Sequence, residues 1–138
     1  MNENRVLTID NLTTVFKSHK QKIQAVRGVS LYVDEGDILA IVGESGSGKR
    51  TLIKAAMGLL GQGGLVTRGD ICYRGQNILD ISEKEKRKVR GAQIGMIFQD
   101  AGASLCPIRT IGEQIYESMR AHGKVTRSEA KDRAMELF

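Results

Sequence analysis

Ile38-Leu39-Ala40-Ile41-Val42-Gly43-Glu44-Ser45-Gly46-Ser47-Gly48-Lys49 is the stretch on which the fold turns. Its first five residues form an unbroken apolar run, the pattern of a strand buried on both faces in a parallel sheet. The next seven interleave glycine with small polar residues and finish on a lysine. Beyond them Leu52, Ile53, Ala56, Met57 and Leu60 recur at helical spacing, until Gly61 and the Gly63-Gly64 pair stop the helix. The order is strand, glycine loop, helix. A loop that holds phosphate needs glycines so that successive N–H groups turn inward, a helix N-terminus whose dipole favours an anion, and a lysine to reach the terminal phosphates. Gly43, Gly46, Gly48 and Lys49 meet those needs. The bare G-x-x-x-x-G-K spacing also occurs in ordinary glycine-rich turns with a surface lysine. The strand before it and the helix after it separate the two readings in favour of nucleotide phosphate.

One position departs from the motif. The residue after the lysine is expected to be Ser or Thr, whose hydroxyl ligates the Mg²⁺ between the β and γ phosphates, and here it is Arg50. A guanidinium carries no acceptor for a metal. Thr51 offers a hydroxyl one residue later, but one step along a helix turns a side chain by about 100°. The expectation is a loop that holds phosphates, binds Mg²⁺ weakly and supports little hydrolysis.

Outward from the loop, Val6-Leu7-Thr8-Ile9 and Val29-Ser30-Leu31-Tyr32-Val33 alternate as half-buried strands, with Asp34-Glu35-Gly36-Asp37 as the turn after the second. They predict an antiparallel layer ahead of the loop. Ile71-Cys72-Tyr73 followed by Arg74-Gly75-Gln76 reads as a further short strand and its turn. Three later helix starts carry the Ser/Thr-x-x-Glu capping box: Ser82 with Glu85, Thr110 with Glu113, and Thr126 with Glu129. Between the first two, Ile94-Gly95-Met96-Ile97-Phe98 is a second candidate buried strand, ending at Gln99. Ala130, Ala134 and Leu137 are still in helical register at Phe138, which reads as the front part of something longer.

Composition bounds the function. The chain has 138 residues, 41% hydrophobic and 27% charged, within the range of one globular domain. No apolar run approaches the roughly 18 to 20 residues of a membrane span, and residues 1–5 have no signal-peptide core behind them. Cys72, Cys106, His19 and His122 lack metal-ligand spacing, so neither a zinc site nor a disulfide framework is expected, and the thiols read as inert. A net charge of +5 could indicate nucleic acid, but the densest basic run, residues 84–90, is broken by Glu85 and has no aromatic platform, the chain holding 4% aromatics and no Trp. That run reads as a solvated helix face and no nucleic-acid partner is expected. Sixteen glycines against one proline mark a backbone with many special turns.

With these motifs in view, the sequence resembles the ATP-binding subunits of ABC transporters, most closely those of oligopeptide and dipeptide importers. The likeness is carried by Ala25-Val26-Arg27-Gly28-Val29-Ser30, by residues 41–49 as the Walker A loop, by Ser82-Glu83-Lys84-Glu85, by Gly95-Met96-Ile97-Phe98-Gln99-Asp100, and by Thr110-Ile111-Gly112-Glu113-Gln114-Ile115. The resemblance implies an α/β fold: a P-loop NTPase core with a parallel sheet, an antiparallel β layer and an incomplete helical subdomain. Residues 1–36 would be the antiparallel layer, 37–109 the P-loop core through the Q-loop, and 110–138 the start of the helical subdomain. It further implies ATP and Mg²⁺ as ligands, held by Gly43, Glu44, Ser45, Gly46, Ser47, Gly48, Lys49, Arg50 and Thr51.

Lys49 and Gln99 are the implied catalytic residues, and Gln99 also the implied Mg²⁺ contact that passes nucleotide state to a membrane subunit. Without the resemblance Gln99 would read as a polar residue ending a strand. Phe16 aligns with the aromatic that stacks on adenine, the alternative being ordinary packing in a strand. Asp100-Ala101-Gly102-Ala103 and Ser104-Leu105-Cys106-Pro107 depart from the family's Asp/Glu-Pro and Ser-Leu-Asn-Pro, loosening that loop. The family's signature Leu-Ser-Gly-Gly-Gln, Walker B carboxylates, catalytic glutamate and switch histidine would all lie beyond residue 138, Leu31-Tyr32-Val33-Asp34-Glu35 being a lookalike ahead of the loop. The implied partners are transmembrane permease subunits and a second nucleotide-binding subunit, with peripheral attachment at the cytoplasmic face of the cell membrane. The implied function is ATP binding that powers peptide import. The competing readings are a non-hydrolysing, degenerate or truncated nucleotide-binding module and, fitting less well, an unrelated P-loop kinase or nucleic-acid ATPase.

Overall fold

Two long strands, β1 (Arg5–Ser18) and β2 (Gln21–Asp34), carry the alternating segments near the N-terminus and pair antiparallel. The structure, a computed structural model, describes residues 4–18, 21–100 and 102–137; residues 1–3, His19, Ala101 and Phe138, all touched by the sequence reading, lie outside the described residues. After β2 come helix α1 (Lys49–Ala56), strand β3 (Gly64–Tyr73), the two-residue strand β4 (Gln76–Asn77) and helix α2 (Glu83–Val89). A short 3₁₀ turn (Gly102–Ser104), helix α3 (Ile111–His122) and helix α4 (Arg127–Leu137) complete the described chain. It divides into two compact units, Met1–Lys86 and Arg87–Phe138.

The first unit is a four-stranded antiparallel sheet in the order β2-β1-β3-β4, covered by α1. β1 sits between two partners, and its middle is not a regular strand. Ile9 and Leu12 are three residues apart, which strict alternation would put on opposite faces, yet both belong to one buried cluster. The ladder shifts register between them, and Asn11 takes a positive φ of 46°. That bulge turns Leu12 back toward the core. It is held by the Asn11 N–H donating to Ser30 Oγ at 2.8 Å and by the Ser30 hydroxyl donating to Asp10 Oδ1 at 3.1 Å. On the other side Gly69 lies against the Asp10 and Asn11 carbonyls, where any Cβ would collide. The core joins Ile9, Leu12, Val26, Ile71 and Ile78 of the first unit to Leu52 and Ala55 of α1. Burying a leucine of this kind contributes about 1.5 to 3 kcal/mol, enough to fix the rotation of a two-turn helix that could not persist alone.

The structure corrects three expectations. Residues 38–42 form no strand: they carry no regular secondary structure, with Ile38 98% and Val42 90% exposed. A parallel strand has no turn of its own to pair it and is completed only by neighbours supplied through crossovers. Among the described residues the one parallel pairing is an isolated bridge, Arg90 with Ile94. Residues 94–98 likewise form no strand beyond that bridge, and Ile97 and Phe98 are exposed. Third, α1 ends at Ala56 rather than running to Leu60. The Leu59 N–H donates to the Lys54 carbonyl at 2.7 Å and the Gly58 N–H to the Ala55 carbonyl at 2.9 Å, the paired bonds of a Schellman stop.

The second unit is helical. α3 starts on Thr110, whose hydroxyl accepts from the Glu113 N–H at 3.3 Å. α4 starts on a full capping box, Thr126 Oγ1 accepting from the Glu129 N–H and Glu129 Oε2 accepting from the Thr126 N–H at 2.7 Å. The Ser82 and Glu85 box at the start of α2 forms in the same reciprocal way. The two later helices meet where the Arg127 guanidinium lies 5.2 Å from the centre of the Tyr116 ring. Glu129 is held below the ordinary carboxylate range by the hydrogen bonds it accepts from the Thr126 backbone and side chain.

Candidate phosphate-binding site

The glycine loop is exposed from Gly43 to Ser47 and ends where Gly48 becomes the N-cap of α1. Ser45 and Gly46 form the turn, closed by the Ser47 N–H donating to the Glu44 carbonyl at 3.3 Å. Gly48 is left-handed at φ 96°, and its α-carbon presses on β2 so closely that a Cβ there would run into the Ala25 carbonyl oxygen. The loop's end is thus seated on the sheet by a backbone contact only glycine permits. α1 has neither a side-chain cap nor an acidic residue in its first turn. The positive end of its dipole lies at the loop, where an anion would be favoured.

The Lys49 ammonium folds back over this loop. It donates to the Gly43 carbonyl and the Glu44 carbonyl, each at 2.6 Å, and to Ser47 Oγ at 3.3 Å. A lysine has three donors, and all three are committed to the rim of the loop. The arrangement sets a positive charge beside an exposed glycine loop and a helix N-terminus, features that suit a phosphate group. Arg50 follows as the second residue of α1 and is exposed; Thr51 is half-buried.

The residues of the loop do not fit a resident Mg²⁺. Among the described residues no group of three or more His, Cys, Asp or Glu is placed to hold a metal ion. The position that would supply the hydroxyl ligand carries the Arg50 guanidinium, which has only donors. The loop's side chains offer donors suited to an anion.

The other residues singled out from the sequence sit elsewhere in the fold. Phe16 is in β1, paired with Ile23 of β2 and Gly64 of β3. It is half-buried, and its ring edge lies against Gly64, where a Cβ would stand 3.0 Å from Cε1. Gln99 belongs to the second unit, exposed at a bend directly after residues 95–98. One organising side chain of that unit was missed. Gln114 of α3 accepts from the Cys106 N–H at 2.7 Å and donates back to the Cys106 carbonyl at 3.1 Å and the Arg109 carbonyl at 3.2 Å. It ties residues 106–110 to the helix as a strand partner would. The Arg109 guanidinium is also paired with Glu117 at 2.5 Å. Polar residues at helical spacing give no sign of such a clasp in the sequence. Cys72 and Cys106 are free thiols, and burial, then Asp70 and Asp80, pushes the Cys72 thiol up from its ordinary value.

No described helix is long and apolar enough to cross a membrane. The sequence is similar to an oligopeptide transport ATP-binding protein, OppD of Bacillus subtilis, at 45% identity over 135 residues, covering 97% of this chain and 38% of that protein. It is 42% identical over 139 residues to a dipeptide transport ATP-binding protein, DppD of Lactococcus lactis, covering all of this chain and 40% of that one. The chain therefore spans about two fifths of the length of these curated relatives. In three dimensions it resembles the ATP-binding cassette MJ0796, solved as a dimer in a post-hydrolysis state bound to ADP and Pi, with a TM-score of 0.77 at 28% identity, over 94% of this chain and 54% of that one. This likeness bears out the α/β class of the P-loop NTPases. The ABC transporter family profile matches residues 26–138, which include the glycine loop, its helix and Gln99, and the chain belongs to that family.

Proposed function

We propose that this chain supplies the nucleotide-binding portion of an ABC importer's ATP-binding subunit, and that ATP bound at the glycine loop drives uptake of peptides. The observation that carries the reading is the Lys49 ammonium set across Gly43 and Glu44 at the uncapped N-terminus of α1. Phosphate oxygens are stronger partners for that ammonium than carbonyls are, and the helix dipole adds to them. The names of the relatives, oligopeptide and dipeptide transport ATP-binding proteins, supply the substrate class. In this reading residues 43–51 hold the triphosphate, Phe16 stacks on the adenine, and Gln99 contacts the reacting end of the nucleotide and relays its state. Residues 1–36, 37–109 and 110–138 act as the antiparallel layer, the P-loop core and the start of the helical subdomain. The partners are permease subunits in the cytoplasmic membrane, at whose inner face the protein sits, and a second ATP-binding subunit.

Titration of the full chain with ATP tests this. Lys49→Ala removes a charge-assisted contact and is expected to weaken binding by about tenfold or more. Equal affinity in the two proteins refutes the reading. Arg50 favours a second reading of the same loop, in which the nucleotide is held without being hydrolysed, because positioning of the Mg²⁺ ion is central to phosphoryl transfer.

A further inference from the structure

We infer that the loop binds its nucleotide free of metal, with the Arg50 guanidinium supplying the positive charge that a magnesium ion would otherwise bring. The inference rests on the nucleotide reading above and adds the ionic form of the ligand.

Lys49 and Arg50 are consecutive, at the first and second positions of α1, and no acidic residue stands in that turn. Cations at the positive end of a helix dipole are unfavourable for the helix, and a bound anion offsets that cost. Arg50 is exposed in the first turn of α1, directly after the lysine that folds over the loop. From there a planar fork of N–H groups matches two phosphate oxygens at once, which an ammonium cannot do. A divalent cation bound to those same oxygens would meet the guanidinium as a like charge and would find no hydroxyl at position 50. The two occupants compete for one place, and the residue present favours the metal-free triphosphate.

The experiment is calorimetric titration of ATP into the full chain, once in excess EDTA and once in excess Mg²⁺, with the wild type and with Arg50→Gln, which stays polar but removes the charge. The wild type is expected to bind in EDTA at least as tightly as in Mg²⁺. Arg50→Gln is expected to lose about tenfold or more in EDTA, the worth of a charge-assisted hydrogen bond. Wild-type binding tenfold tighter in Mg²⁺ than in EDTA overturns the inference while leaving the nucleotide reading standing. So does an Arg50→Gln variant that binds in EDTA as well as the wild type. No binding of ATP in any arm overturns the nucleotide reading itself, and this inference with it.

Discussion

Replacing Gly48 by alanine should unseat the loop, and the structure separates two contributions to the damage. The first is conformational. At φ 96° an L-residue is strained, by about 1 to 2 kcal/mol. The second is steric. The added methyl would enter the space of the Ala25 carbonyl oxygen, part of the backbone of β2, which cannot swing aside as a side chain tip could. Forcing a methyl into a filled space typically costs about 1 to 3 kcal/mol. Gly48→Ala should therefore lose about 2 to 5 kcal/mol in all. Gly46→Ala supplies the control: its φ is 82°, but nothing lies within 4 Å of the new Cβ, so only the first contribution applies. The gap between the two variants, about 1 to 3 kcal/mol, isolates the contact between loop and sheet.

The assay is urea unfolding of the full chain followed by far-ultraviolet circular dichroism, with the slope of the transition checked to be unchanged so that midpoints translate into stability. Nucleotide titration on the same samples adds the functional half. Relaxing the clash moves the start of α1, whose Gly48 carbonyl accepts from the Leu52 N–H at 2.9 Å, and carries the N-terminal donors away from the loop. If the two alanine variants unfold at the same midpoint, the Ala25 contact does not position the loop, and the account of how the sheet builds the site is wrong.

The other expectations concern the core and the second unit. Thr14 is fully buried in β1 and its hydroxyl has no hydrogen-bond partner, so Thr14→Val keeps the shape, removes the orphan and should raise stability by about 1 kcal/mol or more in the same unfolding assay. A clear loss of stability would show that the hydroxyl is satisfied in solution. Glu129, its carboxyl depressed by bonds from Thr126, supports the start of α4 in its charged form. Its contribution is complete above the ordinary carboxylate range and disappears as pH falls through the lowered value. Amide exchange in the first turn of α4 should therefore quicken on acidification, and Glu129→Gln should flatten that dependence; an unchanged pH response in the variant would assign the effect to another group.

The antiparallel layer was legible because its determinants are local. Leu7-Thr8-Ile9 and Val29-Ser30-Leu31 alternate apolar with polar, and both segments lie in the paired strands β1 and β2. The full length of those strands was not legible, since the bulge at Asn11 breaks the alternation that marks a strand. Nothing in the letters Asp10-Asn11-Leu12 announces that Ser30 and Gly69, distant in sequence, will accommodate it. Residues 38–42 and 94–98 show the opposite failure: their composition is right for buried parallel strands, but a parallel strand is made by its neighbours, and pattern alone cannot supply them.

The same distinction governs the site. Residues 43–49 could be read as a phosphate loop because turn, glycines, lysine and helix start are consecutive, and the one remote element, the Ala25 carbonyl, acts on a residue that is already glycine. Gln99 is different in kind. Its implied role depends on what stands opposite it, and no spacing within its own segment carries that information, whereas the spacing of Gly43, Gly48 and Lys49 carries theirs. Arg50 falls between the two. Its effect on a metal follows from its chemistry alone, since a group without a lone pair ligates nothing in any fold. The role proposed for it, as partner to a phosphate, could be framed only once α1 was seen to begin at Lys49 with no acid in its first turn. A substitution that reads in the sequence as the loss of a metal ligand is, on the proposal made above, also the gain of an anion ligand.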